Sequence, residues 1–242
     1  MKTVLHRKES RGHADHGWLK TYHSFSFAEY YNPDKMHFGA LRVLNDDTVA
    51  GGKGFGWHPH DNMEIVSIPL EGELEHGDGM QHGGVIRKGD IQVMSAGTGI
   101  VHQEINADRK NPVKFLQIWV FPDEQNVTPR YDQKNIANGN QKNDFQLVVS
   151  PQNGGADLWI HQDAWFSLGE FDDNFSKTYH LKNKNHGVYL FVIDGQLRVA
   201  NQILQDRDAI GVWDASTLDI EALTHAHFLL IEVPMKLAAF IR

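Results

Sequence analysis

The 242-residue sequence predicts an all-β protein made of two related β-barrel units in tandem. Three features indicate this class. Short apolar runs recur with turn residues between them, no long helical period stands out before residue 122, and one strand–turn–strand pattern occurs twice. Regularly spaced short strands of this kind are typical of sandwiches and barrels.

The predicted strands follow one another closely in both halves of the chain. In the first half they are Glu64–Leu70, Glu73–His76, Ile91–Met94, Ile100–Ile105 and Phe115–Phe121. In the second half they are Phe145–Val149, Leu158–His161, Val188–Asp194, Leu197–Val199 and Phe228–Val233. Glycine beside an acidic residue separates several of these runs, and such pairs favour tight turns. A brief helix is predicted at Met235–Phe240.

The repeated pattern divides the chain into two units. Ile65–Glu75 and Tyr189–Val199 each read as an apolar strand, an acidic residue, a glycine and a second strand. A duplicated barrel unit explains this echo, although two repeats of such low identity can also be coincidental. The polar stretch Pro122–Asp144 reads as the connection. We therefore expect an N-terminal barrel with a metal site over residues 1–135 and a C-terminal barrel without metal ligands over residues 136–242.

Composition excludes several classes of function. Lysine and arginine number 23 against 31 acidic residues, so the net charge is −8, which disfavours direct binding to nucleic acid. The chain has no cysteine, so a bound metal must be held by histidine and carboxylate. The N-terminal stretch lacks the apolar segment of a signal peptide, and no run is long enough to span a membrane. These features predict a cytoplasmic protein.

Two same-face pairs carry the chemistry. His58 and His60 are two residues apart, as are His102 and Glu104. Alternate residues of a strand point to the same side, so two neighbouring strands would deliver three imidazoles and one carboxylate to one point. That donor set suits a divalent first-row metal and leaves coordination positions open. Glu64, four residues after His60, competes with Glu104 for the carboxylate position.

Other histidines have simpler interpretations. A chain with 15 histidines contains roughly one His-x-His by chance, so the context of His58 and His60, ahead of a strand hairpin, is what favours them. His225 and His227 form a second such pair, which we expect only to mark the start of the closing strand. For the histidines of the N-terminal segment we expect surface or hydrogen-bonding roles, with the lining of the pocket by one of them as the alternative; they are His13, His16, His23 and His37.

Several motifs, in order, resemble the pirin family of the cupin superfamily. They are Arg11–Leu19, Phe25–Pro33, Leu41–Asp47, Gly54–Glu64, Met94–Glu104 and Thr128–Tyr131. The resemblance is strong from about residue 7 to 132 and weaker to 234. It implies a bicupin, in which two antiparallel jelly-roll barrels (double-stranded β-helices) pack together.

The resemblance also implies a site and an activity. By motif position, the metal ligands would be His58, His60, His102 and Glu104, which leaves Glu64 outside the coordination shell. The bacterial pirins most similar to this sequence are quercetin 2,3-dioxygenases. The expected cofactor is one divalent ion, iron(II) first, with manganese, nickel, cobalt, copper or zinc as alternatives. Glu104 would act as base on a flavonol or similar small aromatic substrate that reacts with O2 and releases CO.

Two further expectations follow from this comparison. Aromatic residues near the motifs are candidates to stack on a flat substrate, although packing in the core is the commoner role for any one of them; they are Phe55, Trp57, Phe115 and Trp119. Other pirins are regulatory proteins, so the alternative function is a metal-bearing redox sensor that binds a regulatory protein partner. An acidic surface favours such a partner over DNA.

Overall fold

The computed structural model describes residues 1–80, 83–137 and 142–241. Within them, one short 3-10 helix, Lys8–Ser10, accompanies 22 strands. The first twelve strands are β1 (Lys2–His6), β2 (Gly12–Asp15), β3 (Leu19–His23), β4 (Leu41–Val49), β5 (Gly54–His60), β6 (Glu64–Glu71), β7 (Glu73–Asp78), β8 (Gly83–Arg87), β9 (Asp90–Ser95), β10 (Ile100–Asn106), β11 (Val113–Val120) and β12 (Arg130–Asn135). The remaining strands are β13 (Phe145–Pro151), β14 (Leu158–Ile160), β15 (Trp165–Phe171), β16 (Ser176–His180), β17 (His186–Asp194), β18 (Leu197–Val199), β19 (Gln202–Leu204), β20 (Ala209–Trp213), β21 (Thr217–Ala222) and β22 (Ala226–Pro234).

The first lobe is a barrel of two antiparallel sheets. Seven strands pair in the order β12-β9-β6-β11-β4-β3-β2, and four pair in the order β5-β10-β7-β8. Inward-facing residues alternate with outward ones, as in β10, where Ile100, His102, Glu104 and Asn106 are buried and their neighbours are less so. Polar residues therefore occupy interior positions of a strand whose pattern is otherwise that of a core strand.

The second lobe repeats this arrangement. Its sheets run β1-β20-β17-β22-β15-β13-β14 and β16-β21-β18-β19, and a core of buried aliphatic and aromatic side chains fills it. One strand departs from the predicted division at residue 135. Strand β1, from the start of the chain, pairs antiparallel with β20 and so belongs to the second lobe's sheet. Strand β12 pairs with β9 in the first lobe, and the exact boundary stays a prediction.

The two lobes share an apolar core between their seven-stranded sheets. Leu41, Val66 and Leu116 of the first lobe are buried in one cluster with Phe166 and Leu229 of the second. Each such side chain, once fully buried, contributes about 1.5–3 kcal/mol. The outer face of each large sheet is thus covered by the other lobe, which leaves the barrel interiors as the places where polar residues meet.

The all-β tandem architecture is confirmed, and two local predictions are corrected. Met235–Phe240 forms bends and a turn rather than the predicted helix. The polar stretch Pro122–Asp144 is a connection only in part, because Arg130–Asn135 forms β12; residues 138–141 of that stretch lie outside the described residues. Across the described parts of the chain, no helix is long and apolar enough to cross a membrane.

Candidate metal centre

The four predicted ligands lie on two paired strands of the first barrel. In the register of β5 with β10, His102 is opposite His58, and Glu104 is opposite Phe55. Two residues of β5, Gly56 and Trp57, therefore lie opposite one residue of β10, Gln103, which is a β-bulge. The bulge turns Phe55 to the side of β5 that carries the two histidines.

The three histidines converge as predicted. Their ligating nitrogens lie within 4.8 Å of one another. Nδ1 of His58 is 2.7 Å from the carbonyl oxygen of Gly56, and because a carbonyl only accepts, Nδ1 is the donor. This bond leaves the Nε2 lone pair of His58 available, as in metal sites where a second hydrogen bond fixes the ligand's tautomer.

Burial keeps two of these imidazoles neutral. Loss of solvent, reinforced by neighbouring imidazoles, lowers the pKa of His60 to about 4 and that of His102 to about 2. Within the described residues, Nε2 of His102 is buried without a hydrogen-bond partner. A buried nitrogen with an unused lone pair is the form that binds a metal.

Glu104 lies beside this cluster, held by two donors. Its Oε2 accepts a 2.7 Å hydrogen bond from Gln117 and its Oε1 a 3.3 Å bond from the hydroxyl of Ser67. Burial raises the pKa of Glu104 to about 7 despite these donors. Its carboxylate lies within 4.8 Å of His102 but not of both His58 and His60, so the predicted ligands do not form one equidistant set of four.

His76 is the site residue that sequence reasoning missed. Its ligating atom lies within 4.8 Å of those of His102 and Glu104, and its Nδ1 is 3.5 Å from Nδ1 of His102. It is buried on β7, where it is directly opposite Glu104, and its ring stacks on Tyr131. The strand prediction over Glu73–His76 included this residue, and the even spacing from Leu74 was the available signal that it faces inward.

We expect His76 to orient His102 rather than to replace it as a ligand. His76→Ala should weaken metal affinity by about 10–100-fold, the effect typical of residues that position a ligand. Equilibrium dialysis against a competing chelator measures this. His76→Gln, which retains a polar side chain, should recover part of the loss. Metal affinity unchanged in both variants would contradict this role.

A cavity of about 640 Å³ opens beside the histidine cluster. Its walls include His58, His60 and Glu104, together with the aromatic side chains Phe27, Tyr30, Phe55 and Trp119. Such a volume is ordinary for a small-molecule site.

Two of the four aromatic residues proposed for stacking line this cavity. Phe55 and Trp119 do, and the ring of Trp119 meets His60 edge-on with centroids 4.9 Å apart. The other two do not line it. Phe115 is fully buried in an apolar cluster of the first lobe, the core-packing role given as the commoner one, and Trp57 is 57% exposed on the opposite face of β5.

More of the N-terminal histidines line the cavity than the sequence predicted. His13, His16 and His23 line the cavity, whereas His37 bonds the carbonyl of Gly39 through Nδ1. His23 also has the hydrogen-bonding role expected of it, because its Nδ1 is 2.8 Å from Oδ1 of Asn45. Strand β3, which carries His23, pairs with β4, and β2, which carries His13, pairs with β3; His16 lies between β2 and β3. The pairing of β3 with β4 is a long-range contact that local spacing does not reveal.

Glu64 lies away from the histidine cluster. It begins β6 rather than continuing β5, so its even spacing from His60 carries no information about its direction. Its Oε2 accepts a 2.7 Å bond from the hydroxyl of Ser95. Ser67, three residues along β6, bonds Glu104, so alternation places Glu64 on the other face of that strand.

The burial of Glu64 predicts a pH-dependent stability. Burial raises its pKa to about 7 from 4.5, against opposing hydrogen bonds and the positive charge of Arg130. Between these values the folded state binds more protons than the unfolded state, so stability falls as pH rises through this window. Glu64→Gln removes the titration. Relative to wild type, its free energy of unfolding should gain up to about 3 kcal/mol between pH 4.5 and 8.

Denaturant unfolding of both proteins at several pH values measures this difference in free energy. The contributions of all other titrating groups are common to the two proteins and cancel in the difference. Glu64→Gln should also retain the metal. A constant difference across pH, or loss of the metal, would contradict the placement of Glu64.

Comparisons with known proteins agree with this architecture along nearly the whole chain. The family model described as Pirin matches residues 4–120, and that described as Quercetinase C-terminal cupin domain matches residues 147–233. The quercetin 2,3-dioxygenase of Escherichia coli K12 is 38% identical over 95% of this chain and 98% of its own. A pirin-like protein of Caulobacter vibrioides is 38% identical over 91% of this chain and 95% of its own.

A solved structure shares the fold closely. The bacterial pirin YhhW from Escherichia coli, in complex with nickel(II), has a TM-score of 0.91 and 36% identity, covering 96% of this chain and 99% of that chain. Identity at this level over both lobes establishes common descent. The chain therefore belongs to the pirin family, and its two lobes are the tandem cupin barrels of that family.

Proposed function

We propose that this chain is a metal-dependent dioxygenase that cleaves a flavonol such as quercetin with O2 and releases CO. The observation that carries the proposal is the convergence of three imidazoles, two of which, those of His58 and His60, line an aromatic-walled cavity. The relatives named quercetin 2,3-dioxygenase support the class of reaction. In the balanced reaction, both atoms of O2 enter the products, one carbon of the flavonol leaves as CO, and the remainder is a depside.

The donor set fits a divalent transition metal. Nε2 of His102 has no hydrogen-bond partner in the described residues, and Nε2 of His58 is left available by the bond from Nδ1 to Gly56. His58, His60, His102 and Glu104 would hold the ion. Iron(II) is our first choice, and manganese, nickel, cobalt, copper and zinc suit the same donors. The bound ion would supply a Lewis acid that lowers the pKa of the flavonol 3-hydroxyl and brings both reactants together.

Glu104 would accept the proton of that hydroxyl. Its Oε2 is occupied by the short bond from Gln117, whereas Oε1 is held only by the longer bond from Ser67. Oε1 is therefore the atom we assign as base. The carboxylate is buried, so little water competes with the substrate hydroxyl for this acceptor.

The cavity walls suit a flat, polyhydroxylated substrate. Phe27, Tyr30 and Phe55 offer ring faces and edges to an aromatic molecule. In addition, Trp119 and Asp47 line the cavity, and Nε1 of the first and Oδ1 of the second are buried without a hydrogen-bond partner among the described residues. A small rotation of either side chain would offer a donor or an acceptor to the hydroxyl and carbonyl groups that a flavonol carries.

Anaerobic reconstitution tests this proposal. Apoprotein would be loaded with each divalent ion in turn and mixed with quercetin, and the flavonol absorption band would be followed before and after air is admitted. We expect a shifted band on binding and its loss in air with at least one ion. Tight metal binding without loss of quercetin would contradict the proposal. It would favour the redox sensor, for which partner affinity must differ between the ferrous and ferric forms.

A further inference from the structure

We propose that Glu170, His225 and His227 form a second divalent metal site, on the C-terminal lobe, with Asp194 orienting one of its ligands. The ligating atoms of the first three residues lie within 4.8 Å of one another. This cluster belongs to the lobe for which the sequence predicts no metal ligands. It lies on β15, β17 and the start of β22, with His225 just before that strand, far along the chain from the first-lobe centre.

Strand pairing places the side chains of Glu170, His227 and Asp194 in one row across the sheet. In the sheet, Glu170 is directly opposite His227, and His227 is directly opposite Asp194 on its other side. Directly paired residues of neighbouring strands point to the same face. His225 immediately precedes β22, as predicted for a strand start, and its Nε2 is 3.3 Å from Oε1 of Glu170.

The distances match those between ligands of one small cation. Nε2 of His227 is 3.6 Å from Oε2 of Glu170, and Nε2 of His225 is 3.3 Å from Oε1. Metal–ligand bonds of about 2.0–2.2 Å in a tetrahedral shell place neighbouring ligand atoms roughly 3.4 Å apart. The two imidazole rings stand nearly perpendicular, with centroids 4.9 Å apart, so both can direct a nitrogen to the carboxylate without stacking.

The hydrogen bond between His227 and Asp194 decides which ring nitrogen of His227 can bind a metal. Nδ1 of His227 is 2.8 and 3.0 Å from the two carboxylate oxygens of Asp194. A carboxylate accepts, so Nδ1 carries the proton and the lone pair of a neutral ring is at Nε2. That lone pair faces Oε2 of Glu170, another acceptor. Two acceptors that face each other require a cation between them, or a second proton on the ring.

The donor chemistry selects the kind of cation. Two imidazoles and one carboxylate suit zinc and related transition ions, whereas calcium and magnesium prefer shells made of oxygen. A carboxylate that holds the second nitrogen of a ligating histidine is a common arrangement around zinc. Three protein ligands also leave a coordination position open.

The surroundings allow an ion to enter. His225 and His227 have side chains that are 43% and 37% exposed. Lys142 is 3.8 Å from Oε1 of Glu170, but its side chain is 62% exposed and can move away at little energetic cost. Glu170 and His227 line a cleft of about 480 Å³ between the lobes, so a bound ion would face that cleft.

Metal stoichiometry tests the proposal in the full-length chain without an affinity tag. Wild type, His225→Ala and Glu170→Gln would be dialysed against buffered Zn²⁺, and the bound zinc would be counted by mass spectrometry. His180→Ala is the matched control, because His180 is an exposed histidine of the same lobe outside the cluster. We expect two ions per chain in wild type and in the control, and one ion in both cluster variants.

Further results distinguish a specific second metal site from adventitious zinc binding and from a cluster without an ion. Asp194→Asn should bind the second ion about 10–100-fold more weakly, because its role is to orient His227. The first-lobe ion should remain in every cluster variant, so zinc counting stands whether or not the chain oxidises flavonols. Equal zinc binding in wild type and both cluster variants would overturn the site and leave protonated imidazole–carboxylate pairs. Equal loss in His180→Ala would also overturn it, as adventitious surface binding.

Discussion

Replacing His58 with alanine should abolish metal binding at the first lobe and flavonol turnover together. His58 is one of three imidazoles whose ligating nitrogens lie within 4.8 Å of one another. Loss of a ligand should weaken metal affinity by at least about 100-fold, since loss of a group that only positions a ligand already has an effect of 10–100-fold. Metal content after dialysis and the initial rate of quercetin loss are the two measurements.

His37→Ala is the control for this substitution. Like His58, His37 forms a hydrogen bond through Nδ1 with a backbone carbonyl two residues away, but it is not one of the candidate metal ligands. The control should therefore retain metal and turnover. Turnover by His58→Ala protein that has lost the first-lobe ion would contradict the proposed mechanism, since that ion would then not be needed.

Glu104→Gln should lower turnover more than it lowers metal affinity. The amide keeps the size of the carboxylate but can neither carry the negative charge nor accept the proton of the flavonol hydroxyl. Removal of a general base typically lowers the rate by about 10²–10⁴-fold. Metal affinity should fall by a smaller factor, because the amide oxygen of glutamine can still coordinate the ion beside the three imidazoles. The rate per bound ion, measured at saturating metal, separates the two effects.

Glu64→Gln is the matched control, since Glu64 is equally buried and its pKa is also raised to about 7 by burial. It should leave the rate per bound ion unchanged. A similar fall in both variants would show that the loss of any buried carboxyl perturbs the barrel, and would remove Glu104 from the role of base.

The architecture could be predicted from sequence because its signals are local. Strand runs, glycine turns and the echo between Ile65–Glu75 and Tyr189–Val199 all lie within short windows. The pairing of β1 with β20 could not be predicted, because it joins residues about 200 positions apart through backbone hydrogen bonds that any sequence can form. The C-terminal helix was wrong because Met235 packs against the core between the lobes, and this contact outweighs local propensity.

The same distinction holds for the site. The His58–His60 and His102–Glu104 pairs were visible because alternation along one strand decides which residues share a face. His76 and Glu170 were missed because their partners lie on other strands, and only the register places them opposite Glu104 and His227. Alternation from His58 already places Trp57 on the outer face, whereas the β5 bulge, likewise invisible in sequence, is what brings Phe55 to the cavity.

The most direct test of the proposed function is the stoichiometry of the reaction in a sealed vessel. Protein loaded with the competent metal would be given quercetin and a known amount of O2, and quercetin, O2 and CO would be measured together, with His58→Ala run in parallel. A dioxygenase consumes one O2 and releases one CO for each quercetin lost, and the His58→Ala protein should do neither. Loss of quercetin without CO, or the same loss in both proteins, would contradict flavonol dioxygenation at this centre.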